Sequence, residues 1–192
     1  MVAVSSTMQA LGSLAHDFSL PDVRRDNTLI SLADYLNKPL LLMFICNHCP
    51  YVVHIAQKMT ELGNEAQSKG FGVVAISAND SVAYPQDGPE PMVDFAKQHG
   101  FEFPYLFDET QSVAKEYAAA CTPDFFVYDR GHRLRYRGQM DSSRPGNALI
   151  VDGADLNSAI NDVLHSGFAN EEQVPSIGCN IKWRSGNEPD YF

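Results

Sequence analysis

The chain has 192 residues, 44% of them apolar and 20% charged, with a formal net charge of -10. That length fits one domain with a sizeable core, and the acidic balance argues against a nucleic-acid partner and against docking on an anionic membrane. No stretch approaches the roughly 18 apolar residues of a membrane span. Met1 to Asp17 has neither a basic start nor a long apolar run, so no secretory signal is expected and the expected compartment is cytoplasmic. A structural disulfide is disfavoured there, so the four cysteines read as catalytic, metal-binding or packing residues.

In chain order, Met1 to Ser13 is expected to be frayed. His16 to Asp22 and Asn27 to Ile30 suggest a hairpin with its turn near Arg24 to Asn27, and Ser31 is placed to cap one helical turn through Leu36. Pro39 to Ile45 is an apolar run with the pattern of a buried strand. Val52, Ile55, Ala56, Met59, Leu62 and Ala66 then recur on one face of a helix that ends near Gly70. Phe71 to Ser77 is a second buried strand, and the proline-rich stretch from Asn79 to Pro91 reads as a loop. A short helix around Phe95 stops at Gly100, an extended piece covers Pro104 to Asp108, and Val113, Ala114 and Tyr117 mark another helix. Phe125 to Asp129 is a strand, and the alternation from Arg133 to Arg137 returns it as an antiparallel hairpin whose arginines form a solvated face. Leu156 to Leu164 is the last amphipathic helix, and Glu171 to Phe192 an irregular tail. The order β-α-β-α-β-β-α implies a central sheet with parallel inner strands, covered on both faces, and an antiparallel edge. Residues 1–192 read as a single domain, with 14–36 an N-terminal extension and 171–192 the tail.

Two cysteines, Cys46 and Cys49, stand where the first buried strand meets its helix. A helix N-terminus leaves N–H groups unpaired and carries partial positive charge, and both stabilise a thiolate. A cysteine there can fall from about 8.5 to between about 3.5 and 7.5, each unit favouring the thiolate by roughly 1.4 kcal/mol. Position makes Cys46, at an expected exposed mouth, the attacking sulfur, and Cys49, one helical turn in, the resolving one. His48 lies between them, where an imidazolium would stabilise the Cys46 thiolate and make the dithiol a weaker reductant.

The Cys46-Asn47-His48-Cys49 spacing, followed later by Cys121-Thr122-Pro123 ahead of a strand, resembles thioredoxin-fold proteins. More narrowly, His16 to Pro21 and Ser31 to Tyr35 are similar to opening segments of the peroxiredoxin-like (redoxin, alkyl hydroperoxide reductase/thiol-specific antioxidant) branch. Ser77-Ala78-Asn79-Asp80, Tyr84-Pro85-Gln86-Asp87 and the tail from Pro175 through Cys179 to Trp183 look like marks of a subgroup. The resemblance implies an α/β thioredoxin fold, with a central mixed sheet flanked by helices, an N-terminal β-hairpin extension and an irregular C-terminal tail. It further implies a cis Thr122-Pro123 peptide facing the disulfide, with the Thr122 backbone at an open edge for a substrate strand. Two positions depart from the family: Ile45 replaces the usual Trp, and no buried acid lies between Leu40 and Ile45.

The function expected is a thiol–disulfide oxidoreductase working through a mixed disulfide, with Cys46, Cys49, His48, Thr122 and Pro123 as site residues. It needs no organic cofactor or metal, takes a protein or small-molecule disulfide as substrate, and draws electrons from a reductase or small thiol. Two alternatives stand. Cys46 occupies the Thr position of a peroxiredoxin Thr-x-x-Cys, so Cys49 could attack peroxide with Cys46 resolving; that chemistry needs an arginine, and Arg130, Arg133, Arg135 and Arg137 are the candidates. Alternatively Cys46, Cys49, Cys121 and His48 or His54 could carry copper or zinc for delivery, although His54 is placed on the helix's solvated face. Cys121 reads equally as a third redox thiol or a packing residue. Cys179 could fold back to resolve a disulfide, and the reading favoured for it is inert packing.

Overall fold

The apolar run before Cys46 becomes the centre of a sheet. The structure is a computed structural model describing residues 3–191. In chain order it contains β1 (Ala3–Ser5), β2 (Ser19–Asp22), β3 (Thr28–Ser31), β4 (Leu40–Phe44), α1 (Pro50–Ser68), β5 (Gly72–Ser77), α2 (Pro89–His99) and β6 (Tyr105–Phe107). Then follow α3 (Ser112–Glu116), β7 (Cys121–Thr122), β8 (Asp124–Tyr128), β9 (Leu134–Gly138), α4 (Ala154–Ser166) and β10 (Ile177–Asn180).

Seven strands form the main sheet in the order β3-β2-β6-β5-β4-β8-β9. β4, β5 and β6 are parallel neighbours, while β8 and β9 add the antiparallel edge on one side and the β2–β3 hairpin closes the other. Every residue of β4 and β5 is buried, because helices cover both faces. Successive side chains leave opposite faces. Leu41, Met43 and Ile45 pack with the inner faces of α1, α2 and α4, and Leu40, Leu42 and Phe44 pack with Val113, Ala114, Tyr117 and Trp183. Each such buried side chain contributes about 1.5–3 kcal/mol. Ser31 precedes a 3-10 turn at Leu32–Tyr35, and both its N–H and its hydroxyl donate to Asp34 Oδ2, at 2.7 and 2.9 Å. α2 ends where Gly100 turns left-handed at φ 74°. Among the described residues no helix is long and apolar enough to cross a membrane.

Both ends of the chain are more ordered than their composition suggests. The expected frayed start contains β1, and the expected irregular tail contains β10 (Met1, Val2 and Phe192 lie outside the described residues). The two strands pair with each other and with β7 in a second sheet of order β1-β10-β7. Neither strand has the length or alternation of a stand-alone signal, and each forms because the other supplies its hydrogen bonds. The stretch expected to be a loop from Asn79 to Pro91 holds a 3-10 turn at Pro85–Asp87, and α2 already starts at Pro89, a residue suited to a helix's first turn.

Candidate active site

The sheet delivers Cys46 and Cys49 to the head of α1. Phe44 ends β4, Ile45 N–H still donates to Ile76 O at 3.0 Å, and Cys49 is the residue that caps α1, with Pro50 opening the first turn. The residues between the cysteines are clamped from β6 and from the turn ahead of α2. Asn47 Oδ1 accepts the Tyr105 hydroxyl at 3.0 Å and Asn47 Nδ2 donates to Gln86 O at 3.0 Å. Asp87, fully buried, takes the backbone N–H groups of Asn47 and His48 on Oδ1 at 2.9 and 3.3 Å. Its Oδ2 lies 2.5 Å from His48 Nδ1 and accepts Asn79 Nδ2 at 2.8 Å. His48 also stacks on Tyr84 with ring planes 4° apart.

The expected exposed mouth is not there: Cys46 is 1% exposed and Cys49 fully buried, and Cys49 sits at the helix cap rather than a turn inside it. The loop carrying Cys46 is roofed by the Tyr84–Asp87 segment, part of the stretch whose composition reads as a loop. Thr122-Pro123 is cis, as the resemblance implied, and faces the pair. Cys46 Sγ lies 3.2 Å from Thr122 Oγ1 and Cys49 Sγ 3.1 Å from Thr122 O.

The electrostatics separate the two sulfurs. The Cys46 thiol bonds to Cys49, and this holds the Cys46 pKa well above the ordinary range, helped by burial and by the Asp87 carboxylate. The same contact draws Cys49 down to about 5, aided by Cys179 and the Val52 N–H of α1 and opposed by burial. The Thr122 carbonyl, which accepts from Cys49 Sγ, favours its thiol form instead. These contacts favour the thiolate on Cys49 over Cys46, and His48, engaged with Asp87, is turned to the carboxylate.

The edge expected to be open is occupied. β10 pairs antiparallel with β7, setting Cys179 opposite Thr122 and Asn180 opposite Cys121. Cys179 folds back to Cys49. Cys121, fully buried, reaches Pro123 O at 3.7 Å, and burial and then Asp124 push its thiol up, which suits a packing residue. The acid missing between Leu40 and Ile45 stands on the neighbouring strand: Asp124, opposite Phe44, is fully buried and burial raises its carboxyl to about 8.

None of the hairpin arginines hydrogen-bonds the cysteines among the described residues. Arg133 donates to Gly12 O, Arg135 pairs with Asp129 over the Phe168 ring, Arg137 holds Gln9 O and Gln173, and Arg130 is exposed. Arg135 and Arg137 are thus partly buried ties rather than a solvated face. His54 is half-buried, with Nε2 2.7 Å from Ser143 Oγ. Cys46, His48 and Asp87 have ligand atoms within 4.8 Å of one another, a spacing that suits a metal, but Asp87 already serves His48, Asn47 and Asn79.

A central parallel strand, two cysteines at a helix head, a cis-proline loop and an antiparallel edge define a thioredoxin-fold protein of the thiol-redox class. The chain belongs to the AhpC/TSA family, whose model matches residues 11–137. It is 46% identical to an uncharacterized conserved protein from Geobacillus kaustophilus (TM-score 0.91), covering 96% of this chain and 97% of that one. It is 47% identical to a hypothetical protein from Sinorhizobium meliloti 1021 (TM-score 0.91), covering 95% and 99%. The thioredoxin domain of a thiol-disulfide oxidoreductase from Bacteroides vulgatus shares the fold at 17% identity and TM-score 0.63, over 82% and 99%. No curated protein matches the sequence. The protein is an oxidoreductase of this thiol-based kind.

Proposed function

We propose that the protein exchanges disulfides through the Cys46–Cys49 pair with Cys49, not Cys46, as the attacking sulfur. The observation that carries this is the unequal setting of two sulfurs in hydrogen-bond contact: Cys49 caps α1 and receives the Cys46 proton, while Cys46 faces Asp87. The Cys49 thiolate attacks a substrate disulfide, one substrate sulfur leaves as a thiolate, and a mixed disulfide remains on Cys49. Cys46 then attacks Cys49, releasing the second substrate sulfur and closing Cys46–Cys49. Thr122 contacts both sulfurs, while Asp87 and His48 hold the intervening backbone. The covered Thr122 edge favours a small disulfide over an extended protein strand, and a small thiol or reductase would restore the dithiol.

With Cys46 and Cys179 both replaced by serine, so that nothing touching Cys49 can resolve it, a mixed disulfide with glutathione should accumulate on Cys49. Trapping on Cys46 in the corresponding Cys49→Ser protein would return the attack to Cys46. The peroxidase reading draws support from the same thiolate, with Cys46 at the Thr position, but among the described residues no hairpin arginine hydrogen-bonds Cys49. Rapid mixing of reduced protein with hydrogen peroxide separates the two: an ordinary thiol rate leaves disulfide exchange in place, and a rate far above it makes peroxide the substrate.

A further inference from the structure

β10 occupies the edge at which a thioredoxin-like sheet would receive an extended peptide. Main-chain pairing of that kind is how a sheet edge recognises a strand, and here the strand is residues 177–180 of the same chain. The approach is close: a Cβ at Gly178 would lie 2.1 Å from Thr122 O, so the strand reaches this depth only with glycine there. Beyond it, Asn180 and Lys182 fix the strand. Lys182 Nζ donates to Asn180 O and Oδ1 at 2.8 and 2.6 Å, and Lys182 N–H donates to Asn79 Oδ1 at 2.8 Å. The result is that Cys179, 3% exposed, bonds Cys49 through both its side chain and its backbone. The sulfur of Cys49 therefore has two thiol neighbours, Cys46 and Cys179.

We propose that Cys179 is a third redox thiol, an internal substrate that takes the disulfide over from the Cys46–Cys49 pair. This rests on the redox-pair reading above. Once Cys46–Cys49 has formed, the Cys179 sulfur attacks Cys49 Sγ. The Cys49–Cys179 bond forms as the Cys46–Cys49 bond breaks, the electron pair departs on Cys46, and Cys46 takes up the proton that Cys179 loses. One disulfide replaces another, so no further oxidant or reductant enters. The setting also orders the steps. In the dithiol state burial and the Cys49 thiolate push Cys179 up to about 12 and keep it a proton donor. Oxidation of Cys49 removes that negative charge, leaving the pull of Lys182 on Cys179.

The test oxidises the full chain with equimolar diamide, quenches in acid, alkylates, digests and maps linked peptides by mass spectrometry. Wild type should give both Cys46–Cys49 and Cys49–Cys179. Cys46→Ser should divert most molecules to Cys49–Cys179, and Cys179→Ser should give Cys46–Cys49 alone. Absence of the Cys49–Cys179 link from wild type overturns the relay, while Cys46–Cys49 in the same digest keeps the redox pair. Absence of Cys46–Cys49 from a folded Cys179→Ser protein overturns the pair itself. Emission of Trp183, the single tryptophan, reports whether each variant folds. Should Cys46→Ser not fold, the wild-type map decides alone.

Discussion

Gly178 passes so close to Thr122 that the tail and the cis-proline loop form one unit, and any side chain at 178 must push them apart. Gly178→Ala should therefore cost about 1–3 kcal/mol, the usual range for overpacking a close contact. It should also shift β10 off Cys49. Urea unfolding followed by Trp183 emission reads both effects, since Trp183 is buried just beyond β10. Wild-type emission and midpoint would mean that the strand absorbs the methyl group and the contact is looser than its geometry.

Cys49 should be titratable by absorbance at 240 nm, with its thiolate appearing near pH 5. Cys49→Ser should abolish that step. Cys46→Ala removes the largest stabilising contact of the thiolate, so the step should move to higher pH. A step that survives in Cys49→Ser would assign the thiolate to another cysteine.

Asp87 is buried and receives four donors, so truncating it leaves two backbone N–H groups, the Asn79 amide and His48 without their acceptor. Asp87→Ala should destabilise by about 3–5 kcal/mol, the cost of breaking a buried paired charge. Asp87→Asn keeps the volume and removes the negative charge that disfavours a Cys46 thiolate. In that variant Cys46 should take up a larger share of limiting iodoacetamide, measured by peptide mapping; an unchanged share would show that Asp87 acts on backbone geometry alone.

Asp124 gives a pH dependence of opposite sign to that of a paired surface carboxylate. Its folded pKa, about 8, lies above the ordinary carboxylate value because of burial. The folded protein therefore keeps a proton that the unfolded chain releases. The protonated group's contribution is fully present below the unfolded pKa of about 4 and is lost as pH rises to about 8. Asp124→Asn removes this titration, so its melting temperature should rise relative to wild type across that interval, by an amount equivalent to a few kcal/mol at the upper end. Parallel melting curves from pH 4 to 8 would show that Asp124 ionises inside the fold without cost.

The central sheet was legible because β4 and β5 are unbroken apolar runs and α1 repeats at helical spacing; both signals are local. The position of the candidate pair was legible for the same reason, since two cysteines at a strand–helix junction are visible in a short window. The covers of the pair were not. Asp87 sits among prolines and glycine, where composition says loop, and its role comes from reaching back to Asn47 and His48. The buried acid that has no counterpart on β4 stands as Asp124 across the ladder from Phe44, a pairing no local window shows. The subgroup marks at Asn79, Tyr84 and Asp87 and in the tail looked separate in sequence. They converge in space: Asn79 bridges Asp87 Oδ2 to the Lys182 backbone, Tyr84 stacks on His48, and Cys179 meets Cys49. The proposed choice of Cys49 over Cys46 rests on which cysteine the Asp87 carboxylate faces, and sequence order gives no measure of that.

The small sheet joining Ala3 to Cys179 ties the opening of the chain to a strand near its close. Pairings between such distant segments are the slowest to close. During synthesis the Cys46–Cys49 junction and its neighbouring strands leave the ribosome well before β10 exists to cover Thr122. A newborn molecule thus carries its cysteine pair beneath an uncovered Thr122 edge until β10 arrives to pair with it.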